Sequence, residues 1–285
     1  MQQAPLQDHE VVVTREKLKE WFDGCYEPGE DGGQYSWDSE RGRRGFEKLR
    51  GKEIMFVRHC ESTYQTAKFG REAIQCNPKY KDADLTEMGK VQAADLGARL
   101  AVRGFRPDLI VSSPLTRCLE TAALVFSAAF LPHAAERPQI KVLSKLLPEI
   151  VHSWGDTGRS LDAVIDGGVE PLSGAMRDPK PHLEAFRGAE SRSRFQKDDC
   201  NKKGQLRGCR WQKKAGGEFG KPREDRAHAK LRCALVWRWL SENRPERRIA
   251  IVTHSKLIKA REDIHLAGPG IDEIQNGEFV RVTVA

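Results

Sequence analysis

Two histidines and two arginines stand where backbone elements end. The apolar run Ile54-Met55-Phe56-Val57 has the length and composition of a short buried strand, and it leads straight into Arg58-His59. A second run, Ile249-Ala250-Ile251-Val252-Thr253, leads into His254. Between them, Leu109-Ile110-Val111 is followed by Ser112-Ser113-Pro114-Leu115-Thr116-Arg117, a strand end opening into a helix with its arginine in the first turn. A neutral imidazole is a nucleophile, and a guanidinium grips phosphoryl oxygens through two parallel hydrogen bonds. A helix start adds free N–H groups and a positive dipole end. In open α/β sheets ligands bind at the carboxyl ends of the strands, so strands ending in these residues suggest phosphoryl chemistry through a phosphohistidine.

Such residues meet only if a sheet brings them together. The 53–150 stretch alternates strand and helix. After the strand at 53–57, Thr86 is placed to cap a helix whose Gly89, Ala93, Leu96 and Leu100 form one stripe of small and apolar residues. The 109–111 strand follows, then a helix from about Leu115 with Cys118, Ala122, Val125 and Ala129 on one face, then a strand at Ile140 to Leu143. A helix near 230–243, the 249–253 strand and a closing strand at Phe279 to Val284 complete the pattern. The alternation predicts an α/β fold: a mostly parallel, doubly wound sheet in a three-layer αβα sandwich. Residues 1–50 read as an N-terminal extension, with a helix from Val11 to Trp21 and a Gly-rich acidic loop after it. Residues 51–285 then form the domain proper, interrupted by an insertion at about 172–229.

The insertion is basic. From Ser173 to Lys230 there are 16 Lys or Arg against 8 Asp or Glu, which accounts for the net charge of +7 on the whole chain of 285 residues. With so few aliphatic residues it cannot bury enough surface to offset its ordering entropy, so it reads as mobile. Its Lys202-Lys203, Arg207, Arg210-Trp211 and Lys213-Lys214 are of the type that binds nucleic acid or acidic lipid, although a solvated surface loop is the plainer reading. The cysteines number seven and include no C-x-x-C, which fits reduced thiols in a cytoplasmic protein better than a disulfide scaffold. Cys200, Cys209, His228 and Cys233 lack the spacing of a zinc site. No apolar leader opens the sequence, and no apolar run approaches the roughly 20 residues that a membrane helix needs.

Five segments in order carry a resemblance: VRHCES at 57–62, DADLTEMGKVQAADL at 82–96, SSPLTRCLETA at 112–122, LLPEI at 146–150 and IVTHSKLI at 251–258. In these the chain resembles the histidine phosphatase superfamily, also called phosphoglycerate mutase-like. The 239–255 run, Asp156-Thr157-Gly158 and NGEFVRV at 276–282 look like its plant and fungal branch. The resemblance implies that His59 is the nucleophile, that Arg58 and Arg117 bind the phosphoryl oxygens, and that His254 contacts the same group. It implies no metal and no cofactor. It implies Glu149 as the acid that protonates the leaving alkoxide, with Asp156 as its rival. The substrate is expected to be a small phosphorylated metabolite, hydrolysed by a phosphomonoesterase. A phosphoglycerate-type mutase and a non-catalytic phosphate- or nucleic-acid-binding protein are the alternatives.

Physical reasoning supports the roles. A phosphate monoester repels an attacking lone pair, and two guanidinium groups neutralise that charge. His59 must be neutral to attack, so its other ring nitrogen should donate to an acceptor such as a backbone carbonyl. Three positions depart from the family pattern. Cys60 replaces a Gly or Ala, either as a small filler or as a thiol activated by Arg58 and His59. Gln65 stands where the family often has Asn, so it counts as an accessory position whose reach to phosphate is open. Ser255 replaces the commoner Gly.

Overall fold

The structure is a computed structural model and describes residues 8–25, 35–66, 82–129, 140–142, 146–150, 226–258, 265–268, 271 and 274–285. Asp156 and residues 172–225 of the expected insertion lie outside the described residues, and with them the predicted basic clusters. In chain order the elements are β1 (Asp8–Val13), α1 (Arg15–Phe22), α2 (Glu40–Leu49), β2 (Glu53–Arg58), α3 (Thr63–Thr66), α4 (Glu87–Val102), β3 (Leu109–Ser112), α5 (Thr116–Ala129), β4 (Ile140–Val142), α6 (Arg226–Asn243), β5 (Arg248–Thr253), α7 (Ser255–Ile258) and β6 (Phe279–Val284).

The strands form one six-stranded sheet in the order β1-β6-β2-β5-β3-β4. Four of its five pairings are parallel, and β6 against β2 is the antiparallel one. The sheet is therefore mixed α/β and mostly parallel, as the alternation predicts. Period-two alternation divides its two faces. Ile54, Phe56, Ile249 and Ile251 pack with α1, α2 and α6 around Trp37 and Trp237. Met55, Val57, Ala250 and Val252 face the opposite way and pack with α4 and α5 around Leu96, Leu100 and Phe126. With both faces covered, the central strands read as continuous apolar runs, which is why they stand out in the sequence.

The N-terminal segment differs from expectation. No helix starts at Val11: Val11, Val12 and Val13 continue β1, and Thr14 caps α1 by accepting from the Lys17 N–H. Three β-branched residues favour an extended strand, and β6 supplies a partner for each of them. Residues 8–50, read as an extension, thus contribute an edge strand and two packed helices. The strands and helices predicted from residue 53 onward fall within a few residues of their places, whereas α2 forms in the stretch read as a loop and the one-turn helices α3 and α7 have no counterpart in the sequence reading. No helix among the described residues is long and apolar enough to cross a membrane.

Candidate active site

Three parallel strands end side by side. Arg58 pairs with Thr253 as the last register pair of β2 and β5, and the hydrogen bonding runs one step further, with the His59 N–H donating to Thr253 O at 3.0 Å. On the other side of β5, the Ser113 N–H donates to Val252 O at 2.9 Å. His59, His254 and Ser113 therefore leave the sheet at one level. The two imidazoles meet edge to face with centroids 5.2 Å apart, and both are buried.

Arg117 joins them from the first turn of α5. Its Nε donates to His59 Nε2 at 3.2 Å, and its Nη2 lies 3.4 Å from His254 Nδ1. His59 Nδ1 lies 2.7 Å from the Cys60 carbonyl oxygen. That acceptor places the proton on Nδ1 and leaves a lone pair on Nε2, the nitrogen that Arg117 covers. On His254, Arg117 can only donate, so Nδ1 accepts and the proton sits on Nε2, which faces the Ser113 hydroxyl at 3.0 Å. Burial holds His59 well below the usual imidazole value, and the Arg117 and Arg58 charges push the same way. Burial likewise lowers His254, helped by Arg117, His59 and more distant cations. Both shifts favour the neutral form of the rings.

Arg58 is half buried, its backbone N–H bonded to Glu278 O and its guanidinium to Ile274 O. Glu149 is buried at the rim. Its Oε1 accepts from the Ile150 N–H at 2.9 Å, and its Oε2 lies 3.9 Å from His254 Nδ1. The structure therefore brings His59, Arg117, His254 and Glu149 together, while the Arg58 guanidinium is bonded to Ile274 O and acts on His59 through its charge.

The loop after His59 is held on every side. Gln92 accepts from the Glu61 N–H, and the Glu61 carbonyl accepts from the Thr86 N–H. Glu61 Oε1 accepts from the Thr86 hydroxyl at 2.7 Å. At Gly89 a Cβ would lie 2.1 Å from the Glu61 carbonyl oxygen, so the first turn of α4 sits directly on this loop. Cys60 is fully buried beneath Gly277, and its N–H donates to the Thr121 hydroxyl. Burial pushes the thiol up to about 12, outweighing the nearby arginines. The activated-thiol reading of Cys60 is thereby corrected, because desolvation of a thiolate exceeds what those cations offer, and the small filler remains.

Gln65 does not project as a solitary ligand. Its Oε1 accepts from the Ser62 N–H at 2.8 Å, and its amide pairs reciprocally with that of Asn276, each bond at 3.1 Å. Asn276 also donates to the His59 carbonyl at 3.0 Å. The start of α5 departs from expectation as well. Asp82, in the left-handed region at φ 52, turns its carboxylate to accept from the Thr116 N–H at 2.7 Å and the Thr116 hydroxyl at 2.9 Å. That N–H is occupied within the fold, so α5 serves the site through the Arg117 side chain. Ser113 and Asn276, which lie in segments that carry the resemblance but have no role assigned there, and Arg232, which grips the loop before Glu149, stand out only in the structure. They sit one strand, one turn and one helix away from the histidine motifs.

Comparison with known proteins gives concordant results. Residues 54–137 match the model of the histidine phosphatase superfamily (branch 1). A metal-independent phosphoserine phosphatase of Arabidopsis thaliana is 36% identical over 89 residues, which make up 31% of this chain and 34% of that protein. A 2,3-bisphosphoglycerate-dependent phosphoglycerate mutase of Methylobacterium sp. (strain 4-46) is 46% identical over 46 residues, 16% of this chain and 22% of that one. The chain thus aligns with about a third or less of the length of these curated relatives. Among solved structures, a putative alpha-ribazole-5'-P phosphatase of Escherichia coli aligns over 72% of this chain and 74% of that one, with 16% identity and a TM-score of 0.36. The matched family model spans β2 to α5, the elements that carry Arg58, His59 and Arg117, and over that stretch the chain is similar to the histidine phosphatase superfamily.

Proposed function

We propose that this chain is a phosphomonoesterase that hydrolyses a small phosphorylated metabolite through a phosphohistidine. The observation that carries the reading is the state of His59: neutral, its proton fixed on Nδ1 by the Cys60 carbonyl, its Nε2 lone pair turned toward Arg117. In the first step Nε2 attacks phosphorus, the bond to the alcohol oxygen breaks, and Glu149 gives its proton to the leaving alkoxide. In the second step Glu149 takes a proton from water, the hydroxide oxygen bonds to phosphorus, and inorganic phosphate leaves a restored His59. Arg58, Arg117 and His254 hold the phosphoryl oxygens and spread their charge. Gln65 serves this site through Asn276 and the Ser62 N–H, while Glu149 is preferred to Asp156 because its carboxyl stands beside His254. The name of the Arabidopsis relative, a metal-independent phosphoserine phosphatase, supports both the reaction class and its lack of a metal.

The relative named as a mutase favours a second reading, in which the phosphoryl group returns to a bound sugar acid. One experiment tests both. A panel of phosphorylated metabolites is incubated with the wild type and with His59→Ala, and inorganic phosphate and isomerised product are measured separately. Phosphate release that requires His59, with a label on the chain that is lost in acid but survives base, as a phosphohistidine is and a phosphoserine is not, supports the phosphatase. Isomerisation without phosphate release supports the mutase. Phosphate binding without turnover in either protein points to the non-catalytic alternative and removes the enzyme reading.

A further inference from the structure

Three consecutive carbonyls just before Glu149 are each held by a side chain. Arg232, from the middle of α6, donates through one guanidinium nitrogen to Leu146 O and to Pro148 O, both at 2.8 Å. Thr253, the last residue of β5 and the neighbour of His254, donates its hydroxyl to Leu147 O at 3.0 Å. Residues 146–150 belong to no helix or strand, so no backbone ladder fixes them. Their carbonyls need partners from elsewhere, and α6 and β5 provide them. Beyond the last gripped carbonyl, the Ile150 N–H fixes Glu149 Oε1 and leaves Oε2 on the side of His254.

Arg232 is 2% exposed, and its neighbours Leu231, Cys233, Ala234 and Leu235 are all buried and apolar. An apolar side chain of similar length at this position would lose, at the least, the double grip on the loop. We infer that Arg232 is a positioning residue for the proton donor: by clamping the carbonyls of Leu146 and Pro148 it fixes the place from which Glu149 reaches the leaving-group oxygen. The inference rests on the phosphatase reading and deepens it. It divides the site into two separately supported halves. The strand ends and α5 hold the phosphoryl group, whereas α6 holds the acid.

The two halves separate by leaving group. A nitrophenolate leaves without help from an acid, whereas an alkoxide does not. Kinetics are therefore measured with p-nitrophenyl phosphate and with the alkyl phosphate that the wild type turns over fastest. For Glu149→Gln the alkyl phosphate should lose about 100-fold or more in kcat, the range for general acid catalysis, and p-nitrophenyl phosphate far less. Arg232→Met should show the same selectivity at roughly tenfold, and should add little when placed in the Glu149→Gln background, because the two residues act as one unit. If Arg232→Met slows both substrates equally, Arg232 is only structural and the inference is overturned, while the phosphatase reading stands. If Glu149→Gln is itself unselective, the donor assignment fails and the role of Arg232 fails with it. Should Arg232→Met not fold by thermal melt, Arg232→Lys is read instead. The shorter lysine stem brings its nitrogen less close to the two carbonyls, so a smaller but still selective loss supports the inference, and an equal loss overturns it.

Discussion

Arg117 Nε lies 3.2 Å from His59 Nε2 and donates to it, so the guanidinium covers the lone pair that would attack phosphorus. The resting site is satisfied from within. In the proposed reaction a phosphoryl oxygen would draw Arg117 off the imidazole, and the movement that binds the anion would expose the attacking nitrogen. A lysine at this position supplies charge without the fork that meets both rings. Arg117→Lys is expected to lower kcat/KM by about 100-fold or more, as loss of a charge-stabilising donor does elsewhere, with the loss shared between KM and kcat in steady-state assays. A change confined to KM would show that Arg117 only binds.

The neutral histidines set the pH response of stability. A free imidazole titrates near 6.5, and both rings are held below that in the folded chain by burial and by Arg117. Between the two values the unfolded chain binds more protons, so stability is at its full value above about pH 6.5 and falls as pH drops toward the depressed native values. Each ring can contribute a slope of up to about 1.4 kcal/mol per pH unit in that window. Urea unfolding between pH 7.5 and 5 should show this decline, and His59→Asn should flatten it. A slope unchanged in that variant would mean that His59 is protonated in the native protein.

Cys60 is expected to be silent in the folded state. It is fully buried and its thiol is pushed up to about 12, so iodoacetamide at pH 8 should leave it unmodified until denaturant is added. Mass spectrometry of the peptide that carries His59 reads the result, and rapid labelling of Cys60 in the native enzyme would contradict the packing under Gly277.

Gly89 carries an opposed pair of effects. Alanine inside a helix gains about 1 kcal/mol over glycine. Here the new Cβ would stand 2.1 Å from the Glu61 carbonyl oxygen, and the backbone of the His59 loop would have to shift. Overpacking of this kind costs about 1–3 kcal/mol, so Gly89→Ala should lower the melting temperature and also the activity. A stabilised and fully active variant would show that α4 does not press on the loop.

Asn276→Ala removes a hydrogen bond to the His59 carbonyl and both bonds of the reciprocal pair with Gln65. A loss of about 1 kcal/mol in stability is expected from such bonds. In phosphohistidine trapping the variant should form the covalent intermediate more slowly than the wild type; an unchanged rate would place Asn276 outside the positioning of the nucleophile.

The parts of this site that are legible in the sequence lie where a buried strand changes abruptly into polar residues. Arg58-His59 and His254 stand at such edges, and Arg117 follows a third strand by a few residues. Their strands are covered on both faces, and that continuous burial makes the boundary visible. Asn276 is one polar residue in a turn, and Arg232 is a cation in a helix that carries several. Nothing local marks either, because each matters through a carbonyl belonging to a distant segment. The N-terminal strand is obscure for a related reason: Val11 to Val13 precede a well-capped helix, and only pairing with the C-terminal strand shows them to be extended. The Cys60 thiol raises a different difficulty. Sequence shows its charged neighbours and conceals its desolvation, which is the larger effect.

The register of β2 against β5 also has a bearing on timing. Arg58 and Thr253 close the ladder, and the next residue on each strand is a histidine. During synthesis β5 emerges long after β2, so the half-site with His59 and Arg117 waits for a partner from a distant segment. Pairing of such separated segments is slow, because a long loop must close before any contact rewards it. Until then His59 has neither a second imidazole nor a gripped acid beside it. In the proposed enzyme, competence would thus appear together with the long-range pairing of β2 and β5, and the first turnover of a refolding chain can serve as a clock for that event.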